Sequence, residues 1–471
     1  MGWISKLAVT SVLASGMAIA PVTLVPAQDA DAVSLSGPTI VEAELPLTAL
    51  SILFRARDQE RLTQVFEVLD ANWSDGYYAP LIEISAFTSN RAGRAAIYDF
   101  LEQKTGESFG DDFHAWFQWL WNRDEAITAD YGDFKSLIYR LIDPNFEGYF
   151  AGRTATAQIR LDEIRWGGVV QDGIPPLRDP EMITADEADY LEDDHVIFGL
   201  EINGDARAYP QRILAWHEMF VDTIGGVEIA GVYCTLCGTV IPYRTSVDGV
   251  NHAMGTSGFL YRSNKLMYDQ ATQSLWSTMR GEPVVGPLVG QGIVMEFEPI
   301  ITTTWGEWKR RHPDTSVLSL NTGHRRDYGE GAAYNSYFAT DELMFNTPFN
   351  NDDLANKQEV LGLRFAGSPD DQVAIDTAFL ADNRVHSETV GFQDVIIFTD
   401  ASGANRVYDP QGISFESYDG DRNITDSDGT RWTLSEDVLS ADDGRTLERL
   451  PAHRAFWFGW HAAFPQTRLV M

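Results

Sequence analysis

The sequence predicts an α+β protein, with an N-terminal helical domain of the HEAT type followed by a duplicated β-rich domain. Three observations lead there. Between about Leu45 and Phe150 apolar residues recur at roughly three- to four-residue spacing, the period of a buried helix face. From about Ile159 short β-branched and aromatic runs alternate with Gly, Asp and Asn turns, the pattern of strands. Within that β-rich half, two stretches match each other in order and spacing.

Residues 1–27 read as a secretory signal. Lys6 is the only charge, an apolar run extends from Leu7 to about Val25, and Val25-Pro26-Ala27 fits a cleavage site. Pro21 and Pro26 interrupt the run, which argues against a spanning helix. The mature chain is therefore expected in the periplasm or outside the cell. Residues 28–150 form the predicted helical hairpin domain, a candidate surface for a protein partner. In it the aromatic segment Phe113–Trp121 reads as packing, not as a ligand cage. Residues 151–194 read as a connecting segment.

Residues 195–325 and 326–471 are read as the two copies. Ile197-Phe-Gly-Leu-Glu-Ile-Asn-Gly204 resembles Val360-Leu-Gly-Leu-Arg-Phe-Ala-Gly367. Trp305-Gly-Glu-Trp308 with Pro313 and Thr315 recurs as Trp457-Phe-Gly-Trp460 with Pro465 and Thr467.

The balance of 35 Lys+Arg against 69 Asp+Glu, a net charge of −34, makes nucleic acid and anionic membrane surfaces poor partners. No phosphate-binding loop or dinucleotide fingerprint is present. Gly255-Thr256-Ser257-Gly258 lacks the spacing of a serine-nucleophile turn, and the Asp-rich stretches near Asp419 and Asp426 read as turns.

Chemistry concentrates in Cys234-Thr235-Leu236-Cys237-Gly238, which holds the only 2 cysteines of the chain. Sulfurs three positions apart can share one metal ion or close as a disulfide. A disulfide ring this small contributes only roughly 2 kcal/mol by chain entropy, and a chain this long has ample apolar core without it. Laying Gly403 on Gly238 puts Thr399 opposite Cys234, Ser402 opposite Cys237 and Asn383 opposite His217, and the second copy has no sulfur near the Met267 position. Residues that one copy holds and the other lacks are candidates for chemistry. The expected metal ligands are thus Cys234, Cys237 and His217, with Met267 or His252 as a fourth. A thioether favours copper and an imidazole favours zinc. Two alternatives use the same residues: a metal-free thiol–disulfide oxidoreductase, or a non-catalytic scaffold with an incidental disulfide.

The stretches Ala208-Tyr-Pro210, Trp216-His217-Glu218, Tyr233-Cys-Thr-Leu-Cys-Gly238, Ser257-Gly258, Leu266-Met-Tyr-Asp269, Ser274-Leu-Trp276 and Phe456-Trp457 resemble the domain-of-unknown-function 3179 family, over roughly Asp194 to Met471. Members often carry proline after the first cysteine, where this chain has Thr235. The resemblance implies an exported bacterial protein and brings no activity with it.

Overall fold

The computed structural model describes residues 40–41, 45–50, 59–123, 127–349 and 351–471. The predicted signal segment and the Ile52-Leu53-Phe54 part of the helical pattern lie outside the described residues. Residues 37–471 make one compact unit.

Helices come first: α1 (Gln59–Ala71), α2 (Tyr78–Phe87), α3 (Arg91–Thr105), α4 (Phe113–Trp121) and α5 (Tyr131–Tyr139). Their ends are set by local chemistry. The Asn90 side chain accepts the Ala92 N–H at the start of α3, and the Asp112 carboxylate accepts the His114 and Ala115 N–H groups at the start of α4. Gly106, at φ +77°, ends α3 in the left-handed region. α2 is buried along its length, and its one carboxylate, Glu83, is fully partnered. It receives Lys135 Nζ at 2.5 Å, Tyr131 Oη at 2.7 Å and Tyr139 Oη at 2.6 Å, as a buried charge requires.

The β-rich part runs through β1 (Ile164–Trp166), β2 (Leu177–Arg178), β3 (Met182–Thr184), β4 (Val196–Ile202) and β5 (Asp205–Pro210) into α6 (Gln211–His217). It continues with β6 (Met219–Ile224), β7 (Val227–Cys234), β8 (Thr239–Arg244), β9 (Met254–Tyr261) and β10 (Asn264–Asp269). Next come β11 (Leu275–Ser277), β12 (Pro283–Val285), β13 (Ile301–Thr304), α7 (Trp305–Arg311) and β14 (Ser316–Leu318). After a long connection follow β15 (Glu359–Leu363), β16 (Val373–Asp376), α8 (Thr377–Asp382), β17 (Val385–Val390), β18 (Gln393–Thr399) and β19 (Asn405–Tyr408). The chain closes with β20 (Phe415–Tyr418), β21 (Asn423–Asp426), β22 (Arg431–Leu434), β23 (Val438–Ala441), β24 (Thr446–Leu450), β25 (His453–Phe456), α9 (Trp457–Ala463) and β26 (Arg468–Val470).

Two sheets share one plan. One has the order β13-β4-β5-β14-β3 and the other β25-β15-β16-β26. In each, the central pair is antiparallel and the last of the four equivalent strands, β14 or β26, runs parallel to its neighbour. A tryptophan helix links the outer strands in both. Trp308 packs on Gly199 and Trp460 on Gly362, and the indole N–H donates to Thr315 Oγ1 or Thr467 Oγ1, at 2.9 Å each. After each central pair come a short helix and a three-stranded meander, β6-β7-β8 or β17-β18-β19. The second meander extends into an eight-stranded sheet.

The segment 151–194, read as connecting although the strand pattern begins at about Ile159, supplies β1 beside β9, β2 beside β6 and β3 beside β14. Strands of two or three residues are too short for alternation to reveal. The helical region also shares one apolar core with the β12-β11-β10-β9-β1 sheet, through Phe259, Leu266, Tyr268 and Leu275.

Candidate functional site

The cysteines sit where β7 turns into β8. Cys234 is the last residue of β7 and pairs with Thr239, the first of β8. A backbone bond closes the turn, Cys237 N–H donating to Cys234 O at 3.1 Å. Gly238 takes φ +60°, and a Cβ there would meet the Phe456 ring at 2.8 Å, so glycine is needed for both reasons. Within this turn Cys234 and Cys237 form a disulfide, with Cα atoms 5.3 Å apart.

The pair is enclosed. Cys237 is fully buried and Cys234 is 2% exposed. Cys237 Sγ lies 3.5 Å from Ser263 O, and Phe456 N–H donates to Cys237 O at 2.7 Å. The Tyr337 hydroxyl donates to Leu236 O at 2.8 Å. Helix α9 approaches so closely that a Cβ on Gly459 would sit 3.0 Å from Cys237 Cβ.

Beside the turn lies a largely buried ion pair, Lys265 buried and Glu218 half-buried, that the sequence reading did not single out as a site. Glu218 adopts φ 54°, a left-handed conformation that costs a non-glycine residue, and ends α6. Its carbonyl oxygen receives both the Tyr233 N–H and Lys265 Nζ, each at 2.9 Å. Its carboxylate lies 3.3 Å from the same ammonium. Burial pulls the Lys265 ammonium below its ordinary value, and the Glu218 carboxylate opposes that shift. Burial, with the Glu218 charge nearby, raises the Tyr334 hydroxyl. Glu218 stood next to His217 in the sequence, but no spacing rule marks a lone carboxylate as paired with a distant lysine.

The other expected ligands each have partners of their own. His217 is buried, with Nδ1 2.9 Å from Pro175 O and Nε2 2.6 Å from the Tyr328 hydroxyl. A carbonyl only accepts, so Nδ1 carries the proton and Nε2 accepts from tyrosine. Burial pushes this imidazole down to about 4, so it is neutral. His252 bonds Asp269 through Nδ1 at 2.9 Å and packs on the Trp276 ring. Met267 is core, packed with Met219, Met254 and Trp276. Among the described residues, the group of three His, Cys, Asp or Glu side chains whose ligand atoms converge within 4.8 Å is Glu192, Asp194 and His195. It could hold a metal ion, but Glu192 and Asp194 are exposed, and His195 Nδ1 already accepts the Glu192 N–H at 2.9 Å.

The model of a family described as protein of unknown function (DUF3179) matches residues 171–467. The chain belongs to the DUF3179 family. The DUF3179 region takes in the disulfide turn, Glu218, Lys265, the first Trp–Gly sheet and all of the second except β26, whereas α1 to α5 precede it. The match starts ahead of Asp194, and so covers β2 and β3 as well. No curated protein and no solved structure matches the chain.

Proposed function

We propose that this DUF3179 protein is an exported thiol–disulfide redox protein whose working group is the Cys234–Cys237 pair. One observation carries the reading: the disulfide lies in a turn that does not need it. The backbone bond from Cys237 N–H to Cys234 O already closes the turn, and Gly238 already provides its left-handed residue. The matching turn between β18 and β19 holds its shape with no sulfur. There Asp400 accepts the Ser402 and Ala404 N–H groups, and Gly403 takes φ +88°. We read the second sheet pair as a diverged copy of the first, which makes the sulfurs an addition to the scaffold.

The surroundings suggest an order for the exchange. A thiolate from a partner attacks Cys234 Sγ, the S–S bond breaks, and its electron pair goes to Cys237 Sγ. Once protonated, that thiol has Ser263 O, 3.5 Å away, as its acceptor. A second thiolate then attacks the mixed disulfide, releasing Cys234 as thiolate and the partner as its own disulfide. Two electrons enter the protein and two partner thiols are oxidised.

Copper or zinc on the same sulfurs has less support. His217 and His252 are engaged by other partners, and Met267 fills core. The test is a trap. Cys237→Ser leaves Cys234 without its resolving partner, so its thiolate, on opening the disulfide of an oxidised partner and releasing one partner thiolate, should accumulate mixed disulfides that vanish with reductant. Cys234→Ser should trap far less. Equal trapping by both, or by neither, contradicts the proposal.

A further inference from the structure

A buried disulfide cannot be attacked in line by a partner thiolate, so a redox role needs a way in. We infer that the segment Tyr334–Phe349, between β14 and β15, is a strap that covers the Cys234–Cys237 pair and gates its reduction. The inference rests on the proposed redox role of the pair and names how that site is regulated.

Four contacts hold the strap on the turn. The Tyr337 hydroxyl reaches Leu236 O, inside the Cys-Thr-Leu-Cys loop itself, at 2.8 Å. The Tyr337 ring buries against Leu236 and Leu260, with Phe338, Phe345 and Phe456 packed around them. Ser263, whose carbonyl faces Cys237 Sγ, donates its hydroxyl to Phe345 O at 2.6 Å. Tyr334 abuts the Glu218 carboxylate beside Cys234's strand neighbour Tyr233.

The strap is built to move as a piece. Apart from the short helix Asn335–Phe338 it has no regular structure and belongs to no sheet, so no ladder of backbone bonds fixes it. A separate set of bonds anchors it to the residues just ahead of β15. The Asp341 carboxylate accepts the Asn356 and Lys357 N–H groups at 3.1 and 2.9 Å, and Lys357 Nζ donates to Tyr337 O and Thr340 O. At its start, Tyr334 is held at φ 58°, a conformation that a bulky aromatic residue rarely adopts. Strain there is relieved when the strap lifts, while the Asp341 anchor keeps it attached.

The test uses the full-length oxidised protein and dithiothreitol, which passes two electrons to the disulfide and closes to its own cyclic disulfide. Free thiols are counted by maleimide labelling over time. The folded chain should be reduced at least ~100-fold more slowly than the same chain in denaturant. Tyr337→Phe with Ser263→Ala removes both hydroxyl clasps and should speed reduction of the folded chain about tenfold, with the circular dichroism spectrum unchanged. Should the pair of substitutions disturb folding, Tyr337→Phe alone carries the test, with an expected acceleration of about threefold. Equal rates for folded and denatured wild type, or no acceleration in a folded variant, overturn the strap. Because no partner takes part, failure of the Cys237→Ser trap would count against the redox role and leave this result readable.

Discussion

Thr239 pairs with Cys234 across the hairpin, and its hydroxyl meets His453 Nδ1 at 2.8 Å. His453 is fully buried, and burial first, then the Arg364 charge, pushes it down to about 3. A histidine in the unfolded chain titrates near ~6.5. Between those values the unfolded chain binds a proton that the folded chain refuses, so this contribution to stability is full above the unfolded value and is lost as pH falls. His217 adds to the same trend down to about 4. The melting temperature should therefore fall from pH 7 to pH 4. His453→Asn keeps a polar partner for Thr239 without titrating, and should flatten that slope. An unchanged slope in a folded variant would show that His453 does not carry it. At this scale the sequence made the cysteines legible because they are unique. It did not reveal Glu218, Lys265 or Tyr337, whose roles arise from burial and from contacts between residues far apart in the chain.

Among the elements, the two tryptophan helices fix how each central strand pair is covered. A Cβ added at Gly199 would lie 2.4 Å from the Trp308 ring, and one at Gly362 would lie 2.1 Å from the Trp460 ring. Both rings are rigid and buried, so neither can give way cheaply. Gly199→Ala and Gly362→Ala are each expected to destabilise by about 1–3 kcal/mol, read as a lower denaturation midpoint with an unchanged slope. If either variant matches wild type, the close approach is not the constraint that sets glycine there. This feature was legible, because the spacing from tryptophan to tryptophan to threonine repeats along the chain. Strands β2 and β3 were not, because two or three residues joining a sheet at its edge leave no periodic trace. The strap was equally hidden: its aromatic residues look like ordinary core until Tyr337 is seen on Leu236 O.

Across the whole molecule, the helical region and the β-rich region are tied by a shared aromatic core. Phe259 on β9 lies 5.0 Å from the Tyr139 ring, 4.7 Å from Phe146 and 5.1 Å from Phe150. The disulfide turn thus belongs to a scaffold with several buried apolar clusters, which a chain of this length can build without the sulfurs. The chain's net charge of −34 disfavours anionic partners at low salt. On the proposed reading the sulfur pair carries the chemistry, and the remainder of the molecule holds, covers and presents it. The reduction potential of the Cys234–Cys237 pair, titrated in dithiothreitol or glutathione buffers, tests that division most directly. The account predicts a reversible two-electron transition above about −300 mV, in the range of working dithiols. A pair that stays oxidised well below about −300 mV, as structural disulfides do, contradicts it.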